Sequence, residues 1–220
     1  MIKLSINYMN KLQIRQPVSI IANGSFPCHK IPLNILKQSN TIIACDGAAN
    51  MLDYKKYKID YIIGDLDSIE RSTLNKHKSK IINEHEQTNN DLRKAMILLY
   101  NNNIKEFSIL GATGKREDHT IGNIFSIYEL YDDLNATIFT DNGSFKCINS
   151  STKIESFKGQ QVSLFSNDKT ITINSNGLKY NYRSECISSL FHGTLNESMN
   201  DIFSLDISHG KILIYQNYKQ

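Results

Sequence analysis

The fold of this chain turns on DYIIGDLDSI, residues 60–69. A short apolar run, Tyr61 to Ile63, stops at Gly64, and Asp65 and Asp67 come at once with Ser68 behind them. Such a run, bounded by glycine, has the pattern of a buried strand. Two carboxylates set side by side repel and raise each other's pKa unless a cation lies between them. Mg²⁺ is that cation in phosphate chemistry, since it takes one or two carboxylates together with phosphate oxygens. The same letters also suit a turn in which Asp65 or Asp67 caps the next segment, with Ser68 helping. From this segment alone both readings stand.

On either side of it, the residues before about 135 repeat one texture. Short apolar runs, VSIIA (18–22), TIIAC (41–45), YIIG (61–64), KIIN (80–83) and FSIL (107–110), alternate with helical patterns. In DLRKAMILLYNNN, Leu92, Ala95, Met96 and Leu99 fall at helical spacing, and Ile121, Ile124, Phe125 and Tyr128 form a second stripe. Strand–helix alternation predicts an α/β fold, a mostly parallel sheet with flanking helices. Past about 135 the helical period vanishes. ATIFT, SFKCI, QVSLFS, KTITIN, DIFSLDI and KILIYQ are separated by DNG, SND, SNG and SHG, which is turn chemistry. The expectation is an α/β domain over 1–140 and an antiparallel β-sandwich domain over 141–220.

Composition narrows the function. The chain has 220 residues, 40% of them apolar, and a net charge of +3. That charge is too small to point to nucleic acid or a membrane surface. No apolar run approaches the roughly 18 residues of a membrane span, and MIKLSINYMNKLQIRQP lacks the apolar block of a secretory signal. The four cysteines, Cys28, Cys45, Cys147 and Cys186, show no CxxC pair or zinc spacing. Cys45 and Cys147 lie in apolar runs and read as core residues of a reducing compartment. A cytoplasmic protein is expected. No GxSxG elbow and no HExxH is present, and the six histidines show no ligand spacing.

In open α/β sheets ligands gather beyond the carboxyl ends of the strands. Three polar clusters come after strand-like runs here: CDGAAN after TIIA, GDLDS after YII, and GATGKRED after FSIL. Asp46 in CDGAAN is either a turn aspartate before glycine or a second acid of the same site. In GATGKREDH the glycines let backbone amides approach an anion, and Lys115 and Arg116 add charge. It is not a P-loop, which needs four residues between the glycines and a hydroxyl residue after the lysine. Arg116 has the geometry to grip phosphate with two hydrogen bonds. The alternative is a basic surface turn with Asp118 as helix cap. In EQTNNDLRKA, Gln87 and Asp91 stack on one helical face if the helix starts early. Otherwise Asp91 is a first-turn acid with Asn89 or Asn90 as cap.

In order and spacing, IANGSFP (21–27), CDGAANML (45–52), IIGDLDSI (62–69), EQTNNDLRKA (86–95), GATGKREDHTIGN (111–123), GLKY (177–180) and GTLNES (193–198) resemble the thiamine pyrophosphokinase, or thiamin diphosphokinase, family. The most specific pieces are GDxDS, QxxxDxxKA and GxxGxRxDHxxxN. The resemblance implies an N-terminal α/β domain, a C-terminal β-sandwich, and a homodimer with a pocket shared between subunits. It also implies transfer of a pyrophosphoryl group from ATP to the hydroxyl of thiamine, with Mg²⁺ as cofactor, giving thiamine diphosphate and AMP. Carried over by motif, Asp65, Asp67 and Asp91 hold the metal and the ATP phosphates and perform the catalysis. Asp46, Gln87, Arg116 and Asp118 match nucleotide-side positions. Thr194 and Asn196 match the thiamine pocket, and Asn123 matches a motif position of structural character.

The chain departs from the family pattern at Glu86, Asn90, Lys115 and Leu195, where an aspartate, a small hydroxyl residue, a glycine and a serine are usual. It has no tryptophan, so the ring that stacks on thiamine falls to another residue, with Phe191 and Tyr215 as candidates. Two other readings remain in view: a pyrophosphokinase for a different heterocyclic alcohol such as a pterin, and a non-catalytic nucleotide or thiamine sensor.

Overall fold

A computed structural model describes residues 12–83, 88–132 and 134–219. It divides into two compact units, the first ending at Asp141 and the second beginning at Asn142. Each of the early apolar runs is a strand: β1 (Val18–Ile21), β2 (Thr41–Cys45), β3 (Tyr61–Gly64), β4 (Ile81–Asn83) and β5 (Glu106–Leu110). β1 and β2 are buried along their whole length. That is why they read as unbroken apolar runs rather than as alternation, since helices cover both faces of a parallel sheet.

Helices α1 (Lys30–Gln38), α2 (Ala48–Tyr54), α3 (Arg71–Lys76), α4 (Asp91–Asn101) and α5 (Glu117–Glu129) link the strands. α1 starts where His29 Nδ1 accepts the Ile31 amide, and α4 where Asn90 Oδ1 accepts the Arg93 amide. Each thereby satisfies one of the orphan amides of a helix start. α4 packs across β1, β2 and β3. Its Leu92, Ala95, Met96, Ile97, Leu98 and Leu99 are all buried, and each large one contributes about 1.5–3 kcal/mol of burial.

Two sequence expectations shift. The run ATIFT belongs to β6 (Asn135–Phe139), which pairs in parallel with β5 and completes the first unit's sheet. Its position after α5 makes it the end of a β–α–β crossover, and the neighbouring turn signals hid this. In α5 the buried face is Asn123, Ser126, Ile127 and Tyr128, whereas Ile121 is 61% exposed. The expected apolar stripe is rotated because the helix spends its inner face at Asn123 on hydrogen bonds rather than on packing.

In the first unit the strands run β6-β5-β1-β2-β3-β4. From β1 the chain steps through β2, β3 and β4 to one side, then returns to lay β5 and β6 on the other. The direction of winding therefore reverses between β1 and β5, which makes the region beyond their carboxyl ends the switch point at which open α/β sheets hold ligands.

The second unit is all β. Its strands are β7 (Gly143–Ile148), β8 (Thr152–Glu155), β9 (Gln161–Phe165), β10 (Thr172–Asn176), β11 (Arg183–Cys186), β12 (Asn196–Glu197), β13 (Ile202–Ile207) and β14 (Ile212–Asn217). One antiparallel layer is β12-β9-β14-β7 and the other β11-β10-β13-β8. Alternate residues of both layers, among them Val162, Leu164, Ile173, Phe203, Leu205, Ile212 and Ile214, meet in a single core. This is the sandwich expected from period-two strands with one face inward.

Candidate active site at the switch point

The carboxyl ends of β1, β2, β3 and β5, with the start of α4, surround a cleft of about 640 Å³. Asp46, Asp65, Asp67, Asp91, Lys94, Lys115, Arg116 and Asn123 line it, with Asn23 and Ser68 among the rest. Carboxylate oxygens of Asp46, Asp65 and Asp67 lie within 4.8 Å of one another. The paired acids after β3 are thus joined by a third, delivered from the neighbouring strand β2.

Backbone geometry makes this approach possible. Gly64 has φ +152°, and a Cβ there would lie 2.9 Å from Asp46 Cβ and 3.3 Å from Asp91 Cγ. Glycine is therefore required where the three acidic segments converge. Leu66, between the paired acids, sits at φ +68°, and Asp46 at φ +44°. A bulky residue such as leucine in the left-handed region is strained, and such strain concentrates at functional sites. The turn lets the Asp67 amide reach Asp65 Oδ1 at 3.4 Å. Asn50 on α2 secures the far end of this loop, donating to Ser68 O and accepting the Glu70 amide.

The acids are not equivalent. Asp46 is 3% exposed; its Oδ2 accepts the Ser68 amide at 3.3 Å, while its Oδ1 is buried with no partner. Burial pushes its pKa up to about 6, helped by the nearby acids and partly offset by the bonds from Ser68. Asp67 is held below the ordinary value, chiefly by the Ser68 hydroxyl at 2.8 Å. Asp91 is raised by burial, an effect opposed by Lys94 Nζ at 3.1 Å.

Three carboxylates with oxygens within 4.8 Å of one another, one of them buried and with one of its oxygens unpartnered, are a donor set suited to a hard divalent cation. Asp46, Asp65 and Asp67 would hold it. Asp91 shares the cleft but stands in an ion pair with a lysine whose side chain is only 6% exposed. Lys94 is the lysine of the QxxxDxxKA pattern, to which the sequence alone assigned no role. Its position three residues after Asp91 on α4 was the available signal.

Arg116 is the last residue before α5 and Asp118 lies in the first turn. The two pair through Nε–Oδ1 at 3.1 Å and Nη2–Oδ2 at 2.6 Å, which draws the Asp118 pKa down to about 2. Asp118 therefore does not cap the helix. Asn123 donates to Ala112 O and accepts from Asn90 Nδ2, so one amide joins α5 to the β5 loop and to the α4 cap. Gln87 lies outside the described residues.

In the second unit Thr194 and Asn196 line a hollow of about 170 Å³ with Tyr180, Asn181, Tyr182, Glu185 and His192. Asn196 is clamped to the Tyr180 backbone, accepting its amide at 3.1 Å and donating to its carbonyl at 2.7 Å. Thr194 Oγ1 donates to Phe191 O. Phe191 is exposed, whereas Tyr215 packs against Phe145 with ring centres 4.8 Å apart.

Fold and site define an α/β protein with a carboxylate cage at the switch point of a parallel sheet, followed by a β-sandwich. Residues 33–140 match the family model for the thiamin pyrophosphokinase catalytic domain, and residues 143–215 match that for the thiamin pyrophosphokinase substrate-binding domain. The chain belongs to the thiamin pyrophosphokinase family. A relative in Arabidopsis thaliana, thiamine pyrophosphokinase 1, is 34% identical over 97 residues, covering 40% of this chain and 36% of that protein.

Solved structures share the fold. Thiamin pyrophosphokinase from Candida albicans superposes with a TM-score of 0.75 at 20% identity, covering 91% of this chain and 89% of its own. Thiamine pyrophosphokinase from Bacillus subtilis gives 0.77 at 17% identity, covering 92% and 99%. Among the described residues no helix is long and apolar enough to cross a membrane.

Proposed function

We propose that the chain is an ATP-dependent thiamine diphosphokinase, a transferase that moves the pyrophosphoryl group of ATP onto thiamine and releases AMP. The observation that carries this reading is the convergence of Asp46, Asp65 and Asp67 within 4.8 Å, with one Asp46 oxygen buried and unpartnered, in a chain of this family. Bound Mg²⁺ would neutralise charge on the phosphate chain, held by these acids with Asp91 beside them. In the reaction the thiamine hydroxyl oxygen bonds to the β-phosphorus as the bond to the α,β-bridging oxygen breaks, and AMP carries that oxygen away. The hydroxyl proton passes to a carboxylate of Asp65, Asp67 or Asp91. Positioning and charge do most of the work, as in phosphoryl transfer generally. Asp46, Gln87, Arg116 and Asp118 form the nucleotide side in this reading.

For thiamine, the hollow at Thr194 and Asn196 offers tyrosine rings and Glu185, a setting that suits a cationic heteroaromatic ring. Asn196 would act by fixing Tyr180. The exposed apolar side chains of Tyr180, Leu190, Phe191, Leu195 and Met199 on the same unit support pairing of two copies into a homodimer that completes each pocket. Active protein with the solution mass of a single chain would rule the dimer out. We place the protein in the cytoplasm because its four cysteines are free, as in a reducing compartment.

The decisive experiment measures AMP release from ATP and Mg²⁺ with thiamine, a hydroxymethyl pterin, or no alcohol. Thiamine-dependent AMP is expected. Release with the pterin alone would make this a pyrophosphokinase of another alcohol. Calorimetric binding of ATP or thiamine without any AMP would make it a sensor.

A further inference from the structure

Among the described residues, three lysine and arginine side chains line the cleft, and two of them are already matched to carboxylates. Lys94 Nζ lies 3.1 Å from Asp91, with its side chain almost wholly buried. Arg116 is joined to Asp118 by two hydrogen bonds. Lys115 differs. It is exposed, and its one hydrogen bond among the described residues is to a neutral group, Asn23 Oδ1, at 3.1 Å.

That bond is set by the surrounding backbone rather than by chance reach. The loops after β1 and β5 are laced together by Gly24 N to Gly111 O at 2.7 Å, Ser25 N to Thr113 O at 2.8 Å and Ser25 Oγ to Gly114 O at 2.7 Å. A Cβ at Gly24 would come within 2.4 Å of two carbonyl oxygens of the β5 loop, so closely are the two loops held. On the other side Asn23 Nδ2 lies 2.6 Å from where a Cβ of Gly47 would sit. The amide is thus wedged between the start of α2 and the lysine.

We infer that Lys115 is a specificity residue for the polyphosphate, the ammonium that meets the phosphate oxygens the acidic cage does not. The inference rests on the ATP reading above and deepens it. A triphosphate entering a cleft with four lining carboxylates meets repulsion at every oxygen not bridged by a cation. Arg116 can turn to phosphate only by giving up Asp118, and Lys94 only by leaving Asp91 ionised and half-buried without its partner. Lys115 gives up a single bond to a neutral amide. Its flexible stem and compact charge suit a phosphate whose position shifts along the reaction.

The test is calorimetry on the full chain with Mg²⁺ and ATP, inorganic tripolyphosphate or adenosine as probes, using wild type, Lys115→Gln and Lys115→Arg. Lys115→Gln is expected to weaken ATP and tripolyphosphate about tenfold, as loss of one charge-assisted bond does. Adenosine binding and the melting temperature should not change. The KM for ATP should rise by a similar factor with kcat within about twofold, and Lys115→Arg should recover most of the loss. If Lys115→Gln binds both polyphosphates as wild type does while Asp65→Asn abolishes turnover, the role given to Lys115 is wrong and the enzymatic reading stands. Wild type that binds neither polyphosphate would overturn that reading, and this inference with it.

Discussion

Asp65→Asn is expected to lower turnover by a factor on the order of 10² to 10³, the size seen when one preorganised electrostatic group is lost from a transition state. The fold should survive. Asp65 is exposed, and its one described hydrogen bond, from the Asp67 amide to Oδ1, is one that an asparagine oxygen also accepts. Gly64 and Leu66 keep their backbone angles with either side chain at position 65. What disappears is a full negative charge from a set of oxygens spanning 4.8 Å. The measurement is AMP release at saturating Mg²⁺ and ATP, beside a melting curve. Turnover within a few-fold of wild type, at an unchanged melting temperature, would remove Asp65 from the catalytic set.

Asp46→Asn is expected to do two opposite things: destroy activity and stabilise the metal-free protein. Burial raises the Asp46 pKa from 3.8 to about 6, so the folded state holds this proton more tightly than the unfolded chain. As pH climbs from about 4 through about 6 the group must ionise inside the fold, and stability falls over that window. Above it the full penalty is present, at most about 3 kcal/mol at ~1.4 kcal/mol for each tenfold change in proton affinity. Asparagine removes the charge, keeps an acceptor for the Ser68 amide, and turns a donor toward the neighbouring carboxylates. A rise in melting temperature of several degrees is expected near pH 7.5 without divalent ions, shrinking to nothing near pH 4. Added Mg²⁺ should raise the wild-type melting temperature and leave the variant where it was. A variant less stable than wild type in chelator at neutral pH would show that Asp46 is a structural acid rather than a strained ligand.

Both expectations show how sites of this kind are built. Asp46 is buried at a positive φ, Leu66 is twisted into a region its side chain resists, and Gly64 stands where any Cβ would press on Asp46. Each is tolerated because the flanking strands are deeply buried and over-determine the loops. Stability is given up locally where chemistry needs converging charge.

Much of this was legible in the chain. Runs such as TIIAC and YIIG announce buried parallel strands because both faces of the sheet are covered, and the acids come directly at the strand ends. Period-two runs past about residue 135 announce an antiparallel sandwich because only one face is covered, and all but the first of them, ATIFT, lie in it. The acidic motifs needed no coordinates to be noticed, since so few residue types can do that work at that spacing.

Other features had no linear signal. ATIFT reads like the antiparallel runs that follow it, and only its pairing with β5 assigns it to the parallel sheet. Ile121 looked apolar and inward, yet the inner face of α5 goes to Asn123.

Periodicity and residue chemistry are local properties, so the order of residues alone was enough for the class of each half, the strand ends that carry acid, and the loops that carry glycine and cation. Which charges are neighbours had to wait for the folded chain. Asp46 joins Asp65 and Asp67, Asp91 answers to Lys94, Arg116 to Asp118, and Lys115 keeps only Asn23 among the described hydrogen bonds. Electrostatic roles depend on distance and burial, which are set by the order of strands in the sheet and not by the order of residues in the chain.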